Sequence, residues 1–280
     1  MKMKYLMPDH YRAFFNVPEN DGKRNSFWEF NIEEKKATCE QCIEAPKKYD
    51  AHLKCCTFWP FLPNFTVGYI LKQKGKSYQN AQTILKKLIK EKSFVLPMGV
   101  VAPPWYQKEF LQNKDKIFGR SEKMLCPYYQ TNTQSCGIWR FRGSVCTSFY
   151  CKSSFSQKGK SFWRSLEDYL SYLEMALAEE VLVYHDYSPR ELSEQLDFLN
   201  INPDQKTIKA LLAKKNLPVP LARQLWKHYW EKEEEFYIKA AEFVDELPLK
   251  QIKEIQGTLG ADLLQKLLHA RDKIEICQIK

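Results

Sequence analysis

The sequence contains few glycines and lacks the short motifs of several large enzyme classes. Glycine accounts for only 10 of its 280 residues, which argues against glycine-rich phosphate loops and against a β protein with many tight turns. It has no G-x-G-x-x-G, no G-x4-G-K-[ST] and no G-x-S-x-G. These absences leave no signature of a dinucleotide-binding fold, a P-loop nucleotidase or an α/β-hydrolase. The C-x3-C-x2-C motif of radical S-adenosylmethionine enzymes is also missing.

Long apolar runs are absent as well. No stretch approaches the roughly 18–20 apolar residues that a membrane span requires. The first fifteen residues have neither an uninterrupted apolar segment nor a small-residue cleavage site, which secretory signals need. We therefore expect a cytoplasmic protein that does not enter the membrane.

The composition is that of a folded protein, because 44% of the residues are hydrophobic and 14% are aromatic. A chain of this length suits one large domain or two ordinary ones. The net charge of +9 invites a nucleic-acid interpretation. The lysines, however, are dispersed along amphipathic segments such as residues 86–92, which favours solubility over a defined site. Specific nucleic-acid binding is therefore not expected.

Cysteine is the residue that stands out. Eight of the nine cysteines form two groups of four, and Cys277 is left over. The upstream group has a C-x2-C pair followed by two adjacent cysteines, and the downstream group has the spacing C-x9-C-x9-C-x4-C. The predicted metal ligands are Cys39, Cys42, Cys55, Cys56, Cys126, Cys136, Cys146 and Cys151.

Thiolates are the ligands that hold zinc and iron–sulfur clusters in proteins. In a reducing compartment metal explains clustered cysteines better than disulfides do, although a secreted disulfide protein is the alternative. Adjacent side chains point to opposite faces of a strand and diverge by about 100° in a helix. Cys55 and Cys56 are therefore expected to serve different ligand sets, or one of them binds metal and the other packs.

The downstream group resembles a known family. Cys126-Pro127, Cys136-Gly137-Ile138-Trp139, Arg142, Cys146 and Phe149-x-Cys151 follow the pattern of the CxxCxxCC cysteine-cluster family of zinc- or iron-chelating proteins, which includes the flagellin lysine N-methylases. The upstream cysteines supply the other half of that pattern. Two features depart from it: Gly143 stands where the family usually has proline, and the gap between Cys42 and Cys55 is longer than usual.

The resemblance implies an iron–sulfur or zinc centre, and it favours iron–sulfur, most simply [4Fe–4S]. A dense set of aromatic residues around the cysteines favours iron–sulfur too, because aromatic side chains exclude water and tune a cluster's potential. The centre would be structural or redox-active and would serve a protein partner or substrate. The alternatives are a lysine N-methylase using S-adenosylmethionine, for which no catalytic residue can be named, and a zinc-stabilised module that binds nucleic acid or protein.

Hydrophobic periodicity predicts a mainly α protein. We expect an irregular, cysteine-rich domain with short helices over residues 1–160, followed by a helical bundle over residues 161–280. The prolines between residues 57 and 64 predict an irregular segment packed over the cluster. Helices are predicted over residues 78–92, 105–118, 161–184 and 219–245, after Ser188 and Asn202, and as a pair after Pro248 that is separated near Gly257 and Gly260.

Overall fold

The computed structural model describes residues 3, 6–15, 27, 30–32, 34, 48–75, 78–150 and 153–278. Within these residues the protein is mainly helical, as predicted. The helices are α1 (Asn64–Lys72), α2 (Gln79–Glu91), α3 (Pro104–Ile117), α4 (Ser144–Ser148), α5 (Ser156–Tyr184), α6 (Pro189–Leu196), α7 (Lys206–Leu211), α8 (Val219–Trp226), α9 (Glu233–Glu246) and α10 (Leu249–Gln278). The strands are β1 (Leu62–Pro63), β2 (Val95–Leu96), β3 (Gly99–Val100), β4 (Tyr129–Gln130) and β5 (Ser135–Cys136).

The chain divides into two compact units, each made of separate stretches. Unit 1 comprises Met1–Ala37, Trp139–Leu177 and Glu246–Lys280, and unit 2 comprises Thr38–Ile138 and Ala178–Asp245. Both units therefore take residues from both sides of position 160. The division into consecutive domains at that position stays a prediction.

Unit 2 contains a small antiparallel sheet and a separate hairpin. In the sheet, β3 lies between β1 and β2, so that Val100 pairs with both Leu62 and Val95. Position 99 has to be glycine, since its φ is +145° and an added Cβ would lie 2.1 Å from the Leu62 carbonyl oxygen. In the hairpin, β4 pairs with β5.

An apolar core surrounds this sheet. Its buried members come from strand β2 and the residues flanking the sheet, and from a much later stretch that includes α7 and α8: Phe94, Leu96, Val101, Phe198, Ile201, Ile208, Leu211, Leu217, Ala222 and Leu225. Close packing extends to α1 and α9. A Cβ added at Gly68 in α1 would lie 1.8 Å from the Tyr237 carbonyl oxygen of α9, so the two backbones meet where only glycine fits.

Unit 1 is held by aromatic packing around the part of α5 that ends at Leu177. The rings of Phe15 and Phe27 stack at 4.2 Å between centroids, and Phe15 meets Tyr169 edge-on at 5.4 Å. The Tyr172 hydroxyl donates to the Gln256 carbonyl oxygen of α10 at 3.0 Å. Residues far apart in sequence therefore share one core in this unit too.

Several predicted elements are confirmed. Helices α2, α3 and α5 occupy the predicted stretches, and α3 ends before Gly119, whose φ is +74°. Helix α6 begins with the Ser188 cap, which forms a full capping box with Glu191. The last helical stretch is broken at Gly257, which has a φ of +56°.

The single helix predicted over residues 219–245 is wrong. The structure has α8, a short 3-10 turn over Lys227–Tyr229, and then α9. Lys227 and Glu231 have φ values of +52° and +66°, which a continuous right-handed helix does not allow. The break turns Glu233 inward at the start of α9, where it is 4% exposed and pairs with Lys92.

Within the part of the chain that the structure describes, every helix is too short or too polar to cross a lipid bilayer.

We predict that Gly68→Ala destabilises the protein by about 1–3 kcal/mol, because the added methyl group must push α1 away from α9. Urea unfolding followed by circular dichroism measures the change. Lys90→Ala, on the exposed face of α2, is the control and should stay within about 0.5 kcal/mol of the wild type. An unchanged stability for Gly68→Ala would contradict the close α1–α9 contact.

We also predict that Lys92→Met costs about 3–5 kcal/mol, since it leaves the Glu233 carboxylate buried without its cation. Lys87→Met removes an exposed ion pair with Glu91 and should cost less than about 1 kcal/mol. Adding Glu233→Gln to Lys92→Met should recover part of the loss. Equal effects of the two lysine substitutions in the same unfolding assay would argue against a buried pair.

Candidate metal centre

The structure places five of the eight predicted ligands. Cys39, Cys42 and Cys151 lie outside the described residues. The other five are half-buried and are not in disulfides: Cys55, Cys56, Cys126 and Cys136 in unit 2, and Cys146 in unit 1.

Cys55 and Cys56 lie in a tight turn that begins at Asp50. The Asp50 carbonyl oxygen accepts from the N–H groups of Leu53 and Lys54, and Lys54 has a φ of +55°. The side chains of Cys55 and Cys56 hydrogen-bond to each other. The two thiols therefore converge, in contrast to the divergence expected for a regular strand or helix.

Cys126 and Cys136 join this pair through the backbone. The Cys126 N–H donates to the Cys56 carbonyl oxygen at 2.8 Å, and the Cys126 carbonyl oxygen accepts from the Tyr129 N–H at 3.0 Å. Tyr129 in β4 is the partner of Cys136 in β5. One hydrogen-bonded network thus links three cysteine-bearing segments.

The charges of these thiols act on one another. The pKa of the Cys56 thiol is raised first by its hydrogen bond with Cys55, then by burial, and then by the negative charge of Cys55, Cys126 and Cys136. Each thiolate formed in this group makes the next one less favourable. A bound cation would reverse that effect by stabilising several thiolates at once.

Aromatic residues pack near the cysteine-bearing segments. Tyr128 is buried, and its pKa is raised by burial and then by the charges of Cys126 and Cys136. The Tyr106 hydroxyl donates to the carbonyl oxygens of Thr57 (2.7 Å) and Met124 (2.9 Å), which share its hydrogen. The rings packed around Tyr106 are Trp59, Trp105 and Phe110. The segment that follows Cys56 is therefore packed, as predicted, although it continues into strand β1.

Cys146 lies in α4 of unit 1, in a different environment. Arg142, just before this helix, is 9% exposed, and its guanidinium donates to the carbonyl oxygens of Leu6 (2.9 Å) and Trp139 (3.0 Å). It also lies 3.4 Å from the centre of the Trp139 ring. Arg142 thus fixes the backbone around the segment that carries Cys146.

A buried carboxyl group holds the start of α4. Glu174 accepts hydrogen bonds from the Tyr11 hydroxyl (2.5 Å), the Ser144 hydroxyl (2.6 Å) and the Ser144 N–H (3.1 Å). Burial raises its pKa to about 7 in spite of these bonds. The sequence analysis does not name Glu174, although its position is informative. Glu174 lies four residues after Leu170 and three before Leu177, so it is a charged residue on the apolar face of α5.

Among the residues that the structure describes, no group of three or more His, Cys, Asp or Glu side chains already has an arrangement that would hold a metal ion. No protein-family model, curated protein or solved structure matches the chain. Membership of the cysteine-cluster family therefore stays a hypothesis. So do the binding of a metal, the binding of S-adenosylmethionine and a lysine methylase activity.

We predict that Glu174 makes stability depend on pH. Its pKa is about 7 in the folded protein against an ordinary value of 4.5, so the folded state keeps a proton that the unfolded state releases in that range. The stabilisation of the folded state by this proton is complete below pH 4.5. It falls as the pH rises towards 7 and changes little above that. The expected loss is about 3 kcal/mol.

Glu174→Gln should remove this loss, because glutamine carries no titrating group. Denaturant unfolding of the wild type and the variant at pH 4.5 and 7.5, both with chelator, measures the difference. Asp168→Asn, exposed on the same helix, should keep the wild-type pH profile. A Glu174→Gln profile parallel to that of the wild type would contradict the assignment.

Proposed function

We propose that this protein binds a metal ion or an iron–sulfur cluster through a centre built on Cys55, Cys56, Cys126 and Cys136. One observation carries the proposal: hydrogen bonds and strand pairing join the three backbone segments that carry these thiols. The Cys126–Cys56 backbone hydrogen bond holds two of these segments together.

The donor set fits soft metals. Four thiolates suit tetrahedral zinc, and they also suit the iron atoms of an iron–sulfur cluster. The aromatic residues packed near the cysteine-bearing segments favour iron–sulfur, because aromatic side chains exclude water and tune a redox centre. Iron–sulfur would supply electron transfer, and either group would stabilise the fold.

The remaining cysteines extend the proposal. Cys39, Cys42, Cys146 and Cys151 are the other candidate ligands. Half-buried cysteines that form no disulfide favour a reducing compartment, and so the cytoplasm, as the location. A redox-active centre would also require a protein partner.

We predict that Cys126→Ser loses most of its bound metal and melts at a lower temperature, because metal binding and folding are coupled in such sites. Protein purified without oxygen is analysed for iron, zinc and acid-labile sulfide, and its visible absorption and melting temperature are recorded. Cys277→Ser is the matched control, since it lies outside both cysteine groups, and it should keep the metal.

The metal analysis also separates the two chemistries. Iron with acid-labile sulfide and broad visible absorption would establish a cluster. Zinc without iron would make the centre structural. A Cys126→Ser protein that kept its full metal content and its melting temperature would contradict the proposal.

A further inference from the structure

A buried lysine directly precedes the thiol pair in the sequence. Lys54 is 3% exposed and immediately precedes Cys55. Lysine is almost never fully buried unless a partner satisfies its ammonium group. Here Nζ donates to the Gln134 carbonyl oxygen at 2.9 Å.

This hydrogen bond joins two cysteine-bearing segments. Gln134 belongs to the turn that leads from β4 into β5, and Cys136 follows it by two residues. Lys54 thus connects the turn that carries Cys55 and Cys56 to the hairpin that carries Cys136. The connection is separate from the backbone bond between Cys126 and Cys56.

The backbone of Lys54 is held in place by its surroundings. Its backbone lies in the left-handed region, with a φ of +55°. Its carbonyl oxygen lies only 2.9 Å from where a Cβ on Gly119 would be, so the two backbones are in close contact. The side chain therefore starts from a fixed point and ends on a fixed acceptor.

The charge matters as much as the hydrogen bond. Four thiolates around a divalent metal leave a net charge of −2, which is costly in a partly buried place. A lysine carries a full positive charge on a long stem and so can place it beneath the surface. Lys54 carries such a charge on a buried side chain that runs from the residue before Cys55 to the turn before Cys136.

We propose that Lys54 is a positioning residue of the thiol centre: its ammonium group holds the Cys136 hairpin against the Cys55 turn and offsets the negative charge of the metal-bound thiolates. This inference rests on the proposed metal centre. It assigns a role to a residue that no cysteine motif includes.

Cobalt(II) is the probe that tests the proposal, because thiolate-to-cobalt absorption bands report both binding and the number of sulfur ligands. Metal-free protein is titrated with Co²⁺ against a competing chelator between pH 6 and 8. Lys54→Met should weaken Co²⁺ binding about 10- to 100-fold, as loss of a supporting group near a metal does. It should also raise the pH of half-maximal binding.

Two further variants separate charge from packing. Lys54→Arg keeps the charge and should restore the wild-type pH of half-maximal binding, even if its longer side chain weakens affinity. Lys123→Met removes an exposed lysine of the same unit and should change neither quantity. If Lys54→Met does not fold, as judged by circular dichroism, Lys54→Gln takes its place.

The outcomes distinguish the role of Lys54 from the existence of the metal centre. A folded Lys54→Met or Lys54→Gln protein that binds Co²⁺ with wild-type affinity and pH dependence would overturn the role of Lys54 and leave the metal centre intact. A Lys54→Arg protein with the pH dependence of Lys54→Met would reject the charge effect. A wild type without thiolate-to-cobalt bands would instead overturn the proposed function, and this inference with it.

Discussion

Four thiols close enough to affect one another's ionisation are the constraint on which the candidate centre depends. A group of this kind resists ionisation when it holds only protons, and it becomes a strong ligand set when a cation enters. The protein brings the thiols together with ordinary backbone bonds, of which the one from Cys126 to Cys56 spans seventy residues of sequence. The same arrangement that raises the pKa of Cys56 is the one on which the proposed metal centre rests.

Buried polar side chains perform a similar task elsewhere in both units. Asn64 donates to the carbonyl oxygens of Pro97 and Ala178, Glu174 holds the start of α4, and Glu233 pairs with Lys92. Each joins segments that are distant in sequence and has its hydrogen bonds satisfied. Apolar cores tolerate rearrangement, whereas such bonds are lost when a segment shifts. These side chains therefore select one arrangement of the helices.

The cysteines of the candidate centre lie in a unit whose core is aromatic and aliphatic. The β-strands are only two residues long, so they contribute a few exact pairings and little area. Positions such as Gly68 and Gly99 allow backbones to meet at distances that any side chain would prevent. The cysteine segments are irregular, and it is this surrounding close packing that keeps them in place.

Local signals in the sequence determined much of the secondary structure. The apolar stripe of α2, the Ser188 capping box and the breaks at Gly119 and Gly257 were all predictable, because they depend on residues within a few positions of one another. Only the tertiary structure revealed helix α1 after Pro63, the division of α8 from α9, and the burial of Lys54. It also grouped Cys55 and Cys56 with Cys126 and Cys136, whereas spacing alone grouped them with Cys39 and Cys42. The physical reason is the same in each case: these features depend on contacts between distant segments, and sequence spacing carries no record of such contacts.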